Sequence, residues 1–163
     1  MSRPGSTDVP LHPLVAPVGF LLGAWEGQGR GLWTSDSAFF YLEHSEFTHN
    51  GGPFIAYRQR TSTVDGSRPL HGESGYLRPG ADHSIEMVVA QPTGIVEALT
   101  GSFADGRCDL LSSVVSRAPT AINVTAVART FQVDGSVLTY RLDLAMNDEA
   151  LAPHLEARLE RVE

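Results

Sequence analysis

Turn-forming pairs punctuate this chain at near-regular intervals: Asn50-Gly51-Gly52, Asp65-Gly66, Pro79-Gly80, Thr93-Gly94, Asp105-Gly106, Pro119, Asp134-Gly135 and Asn147-Asp148. Asn-Gly and Asp-Gly supply the positive φ angles that tight hairpin turns require. The segments between them alternate. From Val137 to Leu144, Leu138, Tyr140, Leu142 and Leu144 share one face, while Thr139, Arg141 and Asp143 share the other. The pattern predicts ten strands at 24–32, 38–48, 53–62, 70–78, 84–91, 94–102, 107–116, 122–133, 136–146 and 153–162. Long strands joined by short turns favour an all-β, antiparallel up-and-down barrel over a Greek-key sandwich. Residues 1–10 read as a disordered leader, residues 11–163 as one domain, and Leu11 to Leu22 as a short helix or turn capping one barrel end.

Gly23-Ala-Trp25-Glu-Gly27-Gln-Gly29 opens the first strand. Glycine inside a strand marks a bend or a close backbone approach. A single large indole among such glycines suits the plug of a barrel end. The spacing is wrong for a dinucleotide fingerprint, and no Lys-Ser/Thr follows, so phosphate binding is not expected here.

The last segment is ambiguous. Leu151, Leu155 and Leu159 recur at helical spacing, but a barrel needs a closing strand and nothing else follows, so a strand is expected.

The net charge of −7 opposes electrostatic capture of nucleic acid. All twelve basic residues are arginine, which removes Schiff-base lysines and phosphate-loop lysines from consideration. No stretch approaches the ~18 apolar residues of a membrane span. Leu14 to Trp25 is apolar, but it lacks the basic flank and small-residue cleavage site of a signal peptide. One cysteine, Cys108, precludes an internal disulfide and suits a reducing cytoplasm. A monomer or homodimer is expected, since the outer faces show no unmistakable apolar patch.

Candidate chemistry is sparse. Cys108 reads as a small core residue beside Leu110. Glu43 and Glu46 fall on opposite strand faces, and Glu97 reads as isolated. His44 and His49 face opposite sides of a regular strand, and His71 shares a face with Glu73. His154 stands after Pro153 at the start of the last strand. Regular pleating groups it with Glu156 and Arg158 on the outside, and only a bulge after Pro153 would turn it inward.

Taken together, Gly23-x-Trp25-x-Gly27-x-Gly29, Phe39-Phe-Tyr-Leu-Glu43, Glu73-Ser-Gly-Tyr-Leu-Arg78, Pro92-Thr-Gly-Ile95 and His154-Leu-Glu-Ala-Arg-Leu159 resemble the nitrobindins, especially the short actinobacterial members. The resemblance runs from about residue 14 to the end. It implies a ten-stranded barrel like fatty-acid-binding proteins in outline, holding heme b near one mouth. It further implies that His154 is the axial ligand of a largely ferric iron, that nitric oxide binds, and that peroxynitrite is isomerised to nitrate. No catalytic residue beyond the heme iron is implied. The distal side is expected to be apolar and to lack a histidine.

Two positions depart from the family pattern. Trp33-Thr34-Ser35 stands where relatives carry Tyr-Pro-Thr, which puts Ser35 at the place of a heme-side threonine. Ala118-Pro-Thr-Ala-Ile122 stands where many carry Ala-Pro-Thr-Ala-Lys, which puts Ile122 at the place of a heme-contacting lysine. The departures leave room for weaker heme binding, or for a barrel that has lost it. The residues also allow a non-catalytic carrier of a fatty acid or similar amphiphile, using an inward arginine among Arg58, Arg78, Arg129 and Arg141.

Overall fold

Ten antiparallel strands follow one another around a closed barrel in the computed structural model, which describes residues 9–34 and 37–162. They are β1 (Gly23–Thr34), β2 (Ser37–Thr48), β3 (Ile55–Ser62), β4 (Pro69–Pro79), β5 (Ser84–Ala90), β6 (Ile95–Ala104), β7 (Arg107–Arg117), β8 (Val124–Asp134), β9 (Val137–Met146) and β10 (Ala152–Val162). Each pairs with its sequence neighbour, and β1 pairs with β10 to close the ring. The alternation seen in the sequence is the reason: in β5, Ile85, Met87 and Val89 are buried while Glu86 and Val88 face out. The last segment is a strand, as closure demands, with Ala157 and Leu159 inward.

The expected cap is a 3-10 helix, Ala16–Leu21, which buries Val18 and Leu21 at one end. Trp25 is fully buried beside it, and its Nε1 donates to the Leu21 carbonyl at 2.9 Å. The Arg161 guanidinium sits 4.1 Å over the indole ring and donates to the Leu22 and Phe20 carbonyls. That end is therefore sealed by packing and by a cation held against an aromatic face.

Gly23, Gly27 and Gly29 share the inner face of β1 with Trp25. A Cβ on Gly27 would lie 2.1 Å from the Arg158 carbonyl oxygen, so glycine here lets β10 approach β1 closely. A Cβ on Gly29 would lie 2.1 Å from Cζ of Tyr41, because the phenol lies flat across that position. The first glycine closes the barrel and the second seats an aromatic ring.

The sealed half is filled by apolar side chains. Phe131 sits at its centre, edge-on to Phe47 at 5.7 Å and tilted on Tyr140 at 5.0 Å. The opposite end is bounded by the loops that follow β3, β5, β7 and β9, and there the interior opens.

Strand bounds differ from expectation by at most two residues. β8 begins at Val124 because Ala121 N–H bonds Ala118 O and Val124 N–H bonds Ile122 O, which keeps Ile122 in a tight loop outside the strand. Val9 lies against Gly51, while the rest of the expected leader, residues 1–8, falls outside the described residues. The outer surface also holds an apolar row. The register sets Tyr76 beside Val88, Val88 beside Ala98 and Ala98 beside Val114, with Val114 54% exposed.

Candidate functional site: a cavity with a histidine wall and a charged floor

β10 makes a register shift between Pro153 and Leu155: Pro153 faces Asp143 of β9 and Leu155 faces Leu142, so His154 is an extra residue. That bulge is the irregularity the sequence required. It lets His154 and Leu155 both line the interior although pleating alone would set one of them outside. His154 Nδ1 lies 2.8 Å from the carbonyl oxygen of Leu32 on β1. A carbonyl can only accept, so Nδ1 carries the proton and Nε2 carries the lone pair. Burial lowers the imidazole pKa, the Leu32 bond partly opposes this, and nearby His71 adds to the lowering. The ring is therefore neutral at neutral pH, the state in which an imidazole binds metal.

The open half of the barrel encloses a cavity of about 890 Å³. Phe39, Tyr41, Leu142 and Leu144 form much of its apolar wall, and His71 lies on that wall as well. β4 starts at the rim, so His71, its early inward residue, reaches the cavity as a second histidine on the lining. Ile122 lines the rim and is 49% exposed. Ser35 lies outside the described residues.

Beneath the cavity is a charged floor. Arg129 on β8 is 1% exposed. Its Nη1 and Nη2 donate to Glu73 at 2.6 and 3.0 Å, its Nε and Nη2 to Glu97 at 2.9 Å each, and its Nη1 to the Tyr140 hydroxyl at 3.0 Å. All the N–H groups of the guanidinium are used. Tyr57 donates to Glu73 at 2.8 Å, and the Gln91 amide donates to Glu97 at 2.5 Å. Burial alone would raise the Glu73 pKa, but the Arg129 charge outweighs it and holds that carboxyl well below the usual range.

Glu43 differs. It is 4% exposed, receives the Ser45 hydroxyl at 2.8 Å, and leaves Oε2 without a hydrogen-bond partner among the described residues. Burial pushes its pKa up to about 7; Ser45 and Gln59 oppose the rise and Glu73 adds to it. The Tyr41 hydroxyl and Gln59 Oε1 are likewise buried without partners among the described residues.

Glu97 is therefore anything but isolated. The signal was in the parity: Arg129 lies between inward Val127 and Phe131, and Glu97 between inward Ile95 and Leu99. Glu46 faces outward as expected, against His44 at 2.7 Å. His44 also meets Glu26, and no cluster of metal-ligating side chains occurs among the described residues. Cys108 is buried, and burial pushes its thiol up to about 12, so it is an inert core residue.

A sealed base, a cavity and an inward histidine at the last strand's bulge are the geometry against which known proteins can be compared. Residues 14–161 match the model of the THAP4-like, heme-binding beta-barrel domain family. The chain belongs to that family. A peroxynitrite isomerase of Nocardia farcinica is 47% identical over 159 residues, 94% of each chain. A peroxynitrite isomerase of Streptomyces griseus subsp. griseus is 41% identical over 165 residues, 98% of this chain and 89% of the relative. The crystal structure of Rv2717c from M. tuberculosis superposes with a TM-score of 0.86 at 37% identity, covering 94% of this chain and all of that one.

Heme is the cofactor expected of this family, and small molecules are the ligands it implies. The residues present fit such a group. The cavity volume falls within the ~300–1,000 Å³ typical of cofactor sites, its wall is largely apolar, and it presents one neutral imidazole in a fixed tautomer. No helix among the described residues is long and apolar enough to cross a membrane.

Proposed function

We propose that the chain binds heme b through His154, that the bound group takes nitric oxide, and that the protein isomerises peroxynitrite to nitrate. The single observation that carries this reading is the His154 bulge, where the Nδ1–H bond to Leu32 O fixes the tautomer whose Nε2 holds the lone pair. The relatives named peroxynitrite isomerase supply the activity.

Bound heme would supply the iron centre at which peroxynitrite rearranges. The chain's own residues do the rest. His154 orients and holds the group, and Leu32 fixes the imidazole so that it needs no reorganisation on binding. Phe39, Tyr41, Leu142 and Leu144 exclude water from a planar apolar body. We place the protein in the cytoplasm, as a monomer or homodimer, with residues 11–163 forming one domain.

None of the four arginines weighed for the carrier reading supplies its anchor. Arg58, Arg78 and Arg141 face outward, the last two against Glu86 and Asp143, and the inward Arg129 has no N–H left for a ligand carboxylate. The test is stopped-flow decay of peroxynitrite with heme-loaded protein, scored for nitrate against nitrite. Faster decay with a higher nitrate share, both lost in His154→Ala, is the expected result. Decay no faster than with hemin alone would overturn the activity.

A further inference from the structure

The cavity is electrically polarised along its length. At its inner end stand Glu73 and Glu97, two carboxylates against the single guanidinium of Arg129, with Glu43 beside them. The local field there is negative or at best balanced, and every Arg129 donor is taken. A ligand carboxylate pushed to the floor would meet acceptors with no donor to match, which is costly in a buried site.

The outer end is the reverse. Apart from His71 and His154, the one basic residue on the cavity lining among the described residues is Arg68, at the loop between β3 and β4. Its backbone is fixed on both sides, since Thr63 N–H donates to Arg68 O at 2.9 Å and Arg68 N–H donates to Thr63 Oγ1 at 3.2 Å. Among the described residues its guanidinium enters no hydrogen bond or ion pair. Asp65, the carboxylate nearest in sequence, is engaged instead by Thr63 at 2.6 Å and Ser67 at 2.8 Å. An exposed planar donor fork thus stands at the rim of an apolar cavity with its bonding capacity unspent.

We propose that Arg68 is the carboxylate subsite of this cavity and sets which way round a ligand sits, apolar body inward and carboxylate at the rim. The identity of the ligand rests on the heme reading, in which the carboxylates are the propionates; the orientation rests on the charge distribution alone. Arg68 then supplies at another point of the rim the cation that Ile122 does not provide.

The experiment is a Soret titration with hemin and with hemin dimethyl ester, for wild type, Arg68→Ala and Arg68→Lys. Arg68→Ala should weaken hemin about threefold to tenfold, the range of a partly exposed ion pair that is well aligned. It should leave the ester unchanged, and Arg68→Lys should recover most of the loss. The difference should shrink as salt is raised. Equal weakening of acid and ester, or no weakening of either, overturns the subsite. Absence of saturable hemin binding by wild type overturns the heme reading and leaves Arg68 open to the same comparison with a fluorescent fatty acid and its methyl ester. Loss confined to the acid in Arg68→Ala would support the subsite there, and equal binding of both would overturn it.

Discussion

The side chain of His154 and the main-chain carbonyl of Leu32 meet at 2.8 Å across the seam where β10 closes on β1. One strand contributes the proposed ligand and the other its orientation, so on this reading the seam of the barrel is also the seat of the site. Exchanging the imidazole for another ligating side chain should therefore fail. His154→Cys or His154→Met can place a sulfur in the cavity but cannot donate to Leu32 O. Hemin affinity should fall by at least the ~10-fold that loss of an outer-shell partner typically costs, measured by hemin transfer to an acceptor globin.

Gly27 and Gly29 should differ in their tolerance of a methyl group. At Gly27 the obstacle is backbone, the Arg158 carbonyl, and a strand of a closed ring has nowhere to move. At Gly29 the obstacle is the Tyr41 ring, which borders open cavity and can swing into it. Gly27→Ala should cost the upper part of the ~1–3 kcal/mol typical of overpacking, and Gly29→Ala the lower part. Gly29→Ala should also reduce cavity volume. Urea denaturation ranks the stabilities, and hemin affinity reads the displaced ring.

Removing the charge of Arg129 should be severe. Arg129→Met leaves Glu73 and Glu97 buried together without a cation and should cost about 3–5 kcal/mol. Adding Glu73→Gln and Glu97→Gln to that variant should recover most of the loss. Additive losses across the three substitutions, in denaturant melts, would show that the floor does not act as one unit.

Glu43 gives a pH signature. Its folded pKa of about 7 stands above the ordinary 4.5, because burial disfavours the charge. The native state then binds more protons than the unfolded chain between those values, so stability falls as pH rises through that window. The fall should be on the order of 3 kcal/mol in full. It is absent below the lower value and complete above the upper one. Glu43→Gln should flatten this component and be more stable than wild type at pH 8, measured by denaturation at several pH values. Glu73 has the opposite sign: its depressed pKa contributes stability at neutral pH that is lost only in strong acid.

Much of this was legible in the chain. Hairpin turns at Asp65-Gly66, Asp105-Gly106 and Asp134-Gly135 use the positive φ that glycine supplies, and they bracket strands whose faces alternate. His154 was legible as a residue whose role hung on a bulge, and the bulge is there, between Pro153 and Leu155. The floor was missed for a definite reason. Arg129, Glu73 and Glu97 come from three strands up to 56 residues apart, and no local pattern pairs them. Only their inward parity hinted at it. The Tyr76 to Val114 row on the outside was also missed, since it exists only through the register of four strands. Arg68 escaped because a rim residue in a loop has neither parity nor motif to mark it.

The central claim is that His154 holds heme in this cavity. The most direct measurement is a hemin titration of purified apo-protein followed in the Soret band, wild type beside His154→Ala, with urea melts to establish that both are folded. The account predicts a saturating one-to-one shift in wild type and its loss in the folded variant. An undiminished shift in folded His154→Ala, or none in wild type, would contradict it.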